Sequence, residues 1–328
     1  MDRNPYIIRP HPCGVMPNLN VAVLGSPGYS RELGKKGTES DVTLYNSRRG
    51  ESNLTLMEPS QYPEKLASLY YAASFADYAL LVVDQVNAAF GETVVMLDCL
   101  GVARGVIVPR NYITGDQLRR LTRGTVAEGY TVMEEDLPRL REHVMAEADR
   151  VPQGPASDTG TVVVDHYFNV RGVGAVALGV VKAGQIHRHD TLLARPTSKA
   201  AQVRSIQKND EDWETAERGD RVGLALKNIE ASDLDKGMML TSDPSVAQTS
   251  AITGELRQVK YWANPVVEGM DLHVGSGLQF NSAKVTEADK GQVTITMDRP
   301  LAYAPGSKAT VMYLNGGNLR VVGTIPLP

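Results

Sequence analysis

The chain has 328 residues, with 34 basic side chains against 38 acidic ones and a net charge of −4. Apolar residues make up 42% and charged residues 22%, enough to pack the cores of two or three domains and unlike a disordered chain. The charge balance is wrong for a histone-like nucleic-acid binder, the apolar run Tyr78–Val83 is too short to cross a bilayer, and Cys13 and Cys99 form neither a disulfide framework nor a metal site. A protein of the reducing cytoplasm is expected, with no membrane and no DNA as partner. The opening segment MDRNPYIIRPHPCG has charges and prolines where a signal peptide needs an apolar stretch.

Leu19–Leu24 is a short β-rich run closing on Gly25 and the turn-forming GSPGYS, after which a helical stretch is expected. Val42–Tyr45 and Asn53–Met57 alternate around SRRGE, as in a hairpin. Pro63–Asp77 has helical apolar spacing and a proline in its first turn. Tyr78–Asp84 is a buried strand by composition, Phe90–Leu100 a helix, Gly105–Pro109 a strand and Leu137–Arg150 a closing helix. Strands alternating with helices predict a mainly parallel sheet covered on both faces. The pattern changes at the proline- and glycine-rich linker Pro152–Asp158. Valine-rich strands separated by glycine turns then run to Leu240, and recur from Thr249 to Leu327 after a polar break at Thr241–Ser250. Two small β-barrels are the expected form. The domains are placed at 1–152, 158–246 and 250–328.

A strand, a glycine turn and a helix invite a search for a phosphate loop. The Walker pattern Gly-x-x-x-x-Gly-Lys-Ser/Thr works because backbone amides cradle phosphates, the lysine neutralises them and the hydroxyl holds magnesium. Counting from Gly25 puts Ser30, Arg31 and Glu32 where Gly, Lys and Thr are wanted. The later Gly34-Lys35-Lys36-Gly37-Thr38 has suitable residue types without a strand directly before it. After Asn53–Met57 a GTPase would carry Asp-x-x-Gly, and the chain has Glu58-Pro59-Ser60-Gln61. After Gly105–Val108, Pro109-Arg110-Asn111-Tyr112 stands where guanine-reading Asn-Lys-x-Asp should be. Gly25, Arg31, Lys35, Lys36 and Thr38 are therefore candidates for a vestigial phosphate loop. No cofactor is expected; GTP and magnesium enter only if that degenerate loop functions.

In the second domain FNVRGVGAVALGVVKAG (Phe168–Gly184), Asp190–Leu192, VRSIQ (Val203–Gln207), AERGDRVGLALKNI (Ala216–Ile229) and DLDKG (Asp233–Gly237) follow in order. This series resembles domain 2 of the elongation factor Tu superfamily, and through VRSIQ and GDRVGLAL its selenocysteine-specific SelB branch. LGKKGTESDVTLYN (Leu33–Asn46) is similar to an archaeal SelB-like factor of the EF-Pyl type. GMDLHVGSG (Gly269–Gly277) and RPLAYAPGSKATVMYL (Arg299–Leu314) resemble the third-domain barrel, so the likeness spans nearly the whole chain.

The resemblance implies a multidomain α/β plus β protein, with a P-loop-NTPase-like sheet domain, here a degenerate GTPase, followed by two barrels. It implies aminoacyl-tRNA or the ribosome as partner. Arg171, Gly174, Gln207 and Arg221 would lie around the pocket for the terminal adenosine. The three nucleotide motifs depart from the family, the hairpin Val42–Met57 leaves little room for a switch region, and no C-terminal mRNA-reading domain is expected. The leading expectation is a translation factor-like protein binding aminoacyl-tRNA or another translation component without efficient GTP hydrolysis. A GTPase with a rearranged loop using Lys35, Lys36 and Thr38, and a regulatory paralogue that docks on a protein, remain alternatives.

Other clusters have plainer readings. Arg119, Arg120 and Arg123 suit a solvated helix face that RNA could also use. Asp220 beside Arg221 suggests a local ion pair. His187, His189 and Asp190 suit a hairpin turn better than a metal site, and Cys99 suits a packed core. Ser30 and Ser60 have no His–Asp partners at readable spacing, so no covalent catalysis is expected.

Overall fold

The computed structural model describes residues 18–50, 52–148, 150, 157–208 and 210–328. Cys13 and the opening segment lie outside them, as do residues 152–156 of the predicted linker. The first domain is built on β1 (Asn18–Leu24), β2 (Lys35–Glu39), β3 (Val42–Arg49), β4 (Ser52–Pro59), α1 (Leu66–Ser74), β5 (Tyr78–Val83), α2 (Ala88–Leu100), β6 (Gly105–Pro109), α3 (Gly115–Leu121), β7 (Thr131–Val132) and α4 (Leu137–Ala148). Its sheet runs β2-β3-β4-β1-β5-β6-β7. The strands from β4 to β7 are parallel, whereas β3 and β2 are antiparallel additions. The sheet is therefore mixed. β5 and β6, and β1 from Val21 onward, read as apolar runs because helices cover both faces. Leu19, Val21 and Val23 meet α4 through Leu140 and Val144 on one face, while Ala22 and Leu24 meet α1 and α2 on the other.

α2 begins where Asn87 accepts the Phe90 N–H at 3.0 Å and ends at Gly101 in the left-handed conformation, the cap types such helices favour. The helix expected after Ser30 is absent. A single 3₁₀ turn, Tyr29–Glu32, is followed by edge strand β2, all five of whose residues are exposed.

The second domain comprises β8 (Thr161–Val170), β9 (Gly174–Ala183), β10 (Gln185–His187), β11 (Thr191–Arg195), β12 (Lys199–Lys208), β13 (Glu211–Trp213), β14 (Thr215–Glu217), β15 (Arg221–Lys227) and β16 (Met239–Thr241). The order β11-β16-β8-β9-β15-β12 closes through a β11–β12 pairing into a six-stranded barrel, packed with Val162, Leu192, Val203 and Leu224. The third comprises β17 (Ala247–Glu255), β18 (Arg257–Gln258), β19 (Asp271–Ser276), β20 (Gln279–Asp289), β21 (Gln292–Tyr303), β22 (Lys308–Met312) and β23 (Val321–Pro326). Its order, β17-β21-β20-β19-β22-β23-β18, gives a half-barrel, in which the end strands β17 and β18 are not paired with each other.

The three bodies share a core. Leu66, Tyr70 and Val94 from α1 and α2 pack with Val163 and Met239 of the barrel and Leu278 and Met312 of the half-barrel. Polar clasps reinforce it. The buried Glu92 of α2 accepts from the Arg320 backbone N–H at 2.7 Å, from Nε at 3.1 Å and from Nη2 at 2.5 Å. Lys236 reaches Asp41 at 2.8 Å, and its ammonium lies 3.6 Å from the centre of the Tyr71 ring. Tyr70 donates to the Gly277 carbonyl at 2.9 Å.

Candidate functional site

Two places gather the residues that the sequence singles out. The first is the turn after β1. Gly25 has φ +93°, and a Cβ there would lie 2.1 Å from the Val82 carbonyl oxygen, so only glycine fits. Gly28 is also left-handed. Glu58, at the end of β4 and buried, turns its carboxylate into this loop. It accepts the N–H of Gly28 with one oxygen and that of Ser30 with the other, at 3.0 Å. Three further amides bond within the turn: Tyr29 to the Ser26 carbonyl, Arg31 to that of Gly28, and Leu33 to that of Ser30. Pro27 has no amide hydrogen to offer.

Beside the loop lies a cavity of about 290 Å³, lined by Gly25, Ser26, Glu58, Asp84, Asn87 and Thr93 among others. Asp84 is paired with Arg110 at 2.9 Å, and Arg110 also holds Glu135 at 3.0 Å and Ser26 Oγ at 3.3 Å. A magnesium triphosphate needs free amides, a lysine and a ligating hydroxyl. This turn presents amides already bonded to a carboxylate. Arg31 is exposed and bonded to Tyr45.

The second place is a cleft of about 490 Å³ between the α/β domain and the barrel. Lys35, Lys36 and Thr38 line it from β2, and Gln207 and Arg221 line it from β12 and β15. Residues that the sequence divides between a phosphate loop and an RNA pocket thus face one another. Arg48, at the end of β3, adds a further cation. Lys36 pairs with Glu39 at 2.6 Å, while Lys35 and Arg48 have no ion pair among the described residues. Gln207 lies opposite Gly223, whose missing side chain leaves room for Leu178, and its Nε2 donates to Asp212 at 3.0 Å.

Arg171 and Gly174 are placed apart from this cleft, at the tip of the β8–β9 hairpin. Gly174 is four residues along β9 from Leu178, which lines the cleft, a distance of about 13 Å at the rise of a strand. Tyr167, Phe168 and Val173 share the tip and are exposed.

Arg221 does not pair with its neighbour Asp220. Asp220 ends the turn before β15 while Arg221 begins the strand; the Arg221 guanidinium forms a bidentate bond with Asp165, and Asp220 pairs with the buried Lys208 at 2.8 Å. Burial pushes the Asp165 carboxyl up, but Arg221 and His166 outweigh it and hold it below the usual aspartate value. Asp220 also accepts from the Asn18 amide of the α/β domain and from the Glu217 N–H, while Lys208 Nζ sits 3.8 Å from the centre of the Trp213 ring. This buried network, not apparent in the sequence, supports the cleft floor.

His187 and Asp190 close a turn, with the His187 N–H donating to Asp190 at 2.7 Å. No group of three metal-ligating acids, histidines or cysteines occurs among the described residues, and none of their helices is long and apolar enough to cross a membrane. Cys99 is a core thiol, pushed up to about 12 by burial. Arg119 pairs with Asp116 at 2.6 Å on an exposed helix face.

The family model of elongation factor Tu domain 2 matches residues 174–241. The chain is 34% identical over 310 residues to the uncharacterized protein MJ0325 of Methanocaldococcus jannaschii, covering 94% of this chain and 99% of that one. It is 24% identical to the selenocysteine-specific elongation factor of the same organism, over 76% of this chain and 57% of that protein, so it spans little more than half of that relative. Among solved structures it resembles the translation elongation factor SelB of Methanococcus maripaludis in complex with the GTP analogue GppNHp. There the TM-score is 0.78 at 17% identity, over 94% of this chain and 78% of that one.

Proposed function

The chain belongs to the elongation factor Tu superfamily, in its SelB-like branch, and from that premise we propose that it binds the acceptor end of an aminoacyl-tRNA in the interdomain cleft, without efficient GTP hydrolysis. The observation that carries this reading is the convergence of Lys35, Lys36, Thr38, Gln207 and Arg221 on one trough of about 490 Å³. Lys35, and Arg48, whose Nε donates to the Gly50 carbonyl at 3.1 Å, have no ion pair among the described residues and are the cations offered to phosphates, and an RNA footprint confined to one trough is compatible with an acidic chain. Gln207 supplies amide donors and an acceptor for a base edge or ribose. Arg221 is held by Asp165 and acts as a fixed wall with part of its donor set still available.

Support for the absence of efficient turnover comes from the loops. Glu58-Pro59-Ser60-Gln61 and Pro109-Arg110-Asn111-Tyr112 lack the magnesium-binding and guanine-reading residues of a translational GTPase, and Lys35, Lys36 and Thr38 lie on β2 rather than in the Gly25 turn. The test is the rate of aminoacyl-ester hydrolysis in charged tRNA at low salt. We expect slower hydrolysis with the protein present, and Lys35→Ala combined with Arg48→Ala to lose roughly tenfold or more in affinity and to flatten its salt dependence. No protection of any charged tRNA sinks the proposal.

A further inference from the structure

We propose that Glu58 is an internal substitute for a phosphate: its carboxylate fills the turn after β1 and holds it shut, so that the loop is ordered by the chain itself rather than by a nucleotide. The proposal deepens the preceding reading and rests on it for the loop's ancestry, but its geometry stands apart from the cleft. Two backbone donors 28 and 30 residues away in sequence are taken by the two oxygens of one side chain. Those donors are offered by the left-handed Gly28 and the turn that follows, the kind of backbone concavity that binds anions.

Bonds from backbone N–H to an ionised carboxylate are about twice as strong as neutral ones, and here they are shielded from water. A nucleotide phosphate entering the turn would have to displace them and leave the Glu58 carboxylate beside it. Like charges at such range repel, and the amide bonds the phosphate gained would be the ones that Glu58 gave up.

The same contact has a mechanical result. Glu58 ends β4, and eight residues later α1 begins, the helix that packs on the half-barrel through Tyr70. The turn, β4 and α1 therefore form one connected path from the loop to the domain interface. With the carboxylate built in, that path has its anion at all times, and the domain arrangement needs no bound nucleotide.

Hydrogen exchange of the full-length protein, followed on peptides covering residues 25–34 and 66–74, tests this, with Glu58→Gln and Glu58→Ala alongside the wild type. In the wild type, protection should be unchanged by GTP with magnesium. In Glu58→Ala, exchange over 25–34 should rise on the order of tenfold as two donors lose their acceptor, and inorganic phosphate should restore part of the protection when compared with chloride at equal ionic strength. Glu58→Gln keeps the shape and one acceptor oxygen; it should show a smaller rise of the same kind, and it serves as the measurement if the alanine variant does not fold.

Added protection of the wild-type loop by GTP would overturn the proposal, as would unchanged exchange in both variants or a phosphate effect no larger than that of chloride. Ester protection of charged tRNA is read in the same samples. Its loss in the wild type refutes tRNA binding without touching Glu58, whereas a GTP effect on the loop refutes the internal anion without touching tRNA binding.

Discussion

Removing the Glu92 carboxylate should release the half-barrel from the α/β domain. The Glu92 side chain is 2% exposed and that of Arg320 13%, so Glu92→Ala strands a guanidinium and a backbone N–H inside the interface. Breaking a buried ion pair from one side costs about 3–5 kcal/mol, whereas replacing both partners by apolar groups of similar size is often neutral. The double variant Glu92→Leu, Arg320→Met still leaves the backbone N–H of position 320 without its acceptor, which costs about 1–3 kcal/mol. It should therefore be clearly more stable than the single variant, although it lacks more groups. Because the chain has three bodies, one global unfolding energy is not a sound readout. Native-state hydrogen exchange of β23 and α2 measures the opening of their interface directly. If the single variant loses less than about 1 kcal/mol of protection, or the double variant loses as much as the single one, the clasp does not act as a desolvated pair.

The same interface should respond to pH. His273 is half-buried with its ring 5.0 Å from that of Phe280, which in turn packs on Tyr70 and Tyr71. Burial lowers its pKa below 6.5, partly opposed by Asp298. With a depressed folded value the unfolded state takes up the proton first, so stability is complete above pH 6.5 and is lost as pH falls through the folded value. His273→Phe should flatten that part of the pH dependence of β19 hydrogen-exchange protection, corrected for intrinsic exchange, and an unchanged slope between pH 5 and 7, covering the ordinary histidine range, would rule the group out. Gly275→Ala should cost about 1–3 kcal/mol by overpacking, since its Cβ would lie 2.4 Å from the fully buried Tyr70 ring. Pairing it with Tyr70→Leu should recover most of the lost hydrogen-exchange protection of β19, and no recovery would mean that the clash is not the cause.

Much of the fold is legible from periodicity and turn chemistry. β1, β5 and β6 announce themselves as apolar runs, the β3–β4 hairpin by its alternation around SRRGE, and the barrel by its glycine-spaced valine strands. The stretch after Ser30 is different. KKGTE has no apolar alternation, and it becomes a strand only because β3 offers it an open edge. Its lysines and Thr38 therefore leave the loop in which residue types alone had put them.

Arg221 shows the same limit on a smaller scale. Asp220 is its neighbour in sequence, but it is held in the turn before β15, and the β8 strand brings Asp165 to the guanidinium from 56 residues away. Composition and strand period, both local quantities, determine an α/β domain followed by two β domains, and the order of the motifs carries the resemblance to the SelB-like branch with its altered nucleotide loops. Only the tertiary structure decides what fills the altered loop and what faces what across the domains. Glu58 reaches Gly28 and Ser30, and β2 reaches the Gln207 strand, through packing between segments far apart in the chain, and no local pattern encodes a distance of that kind.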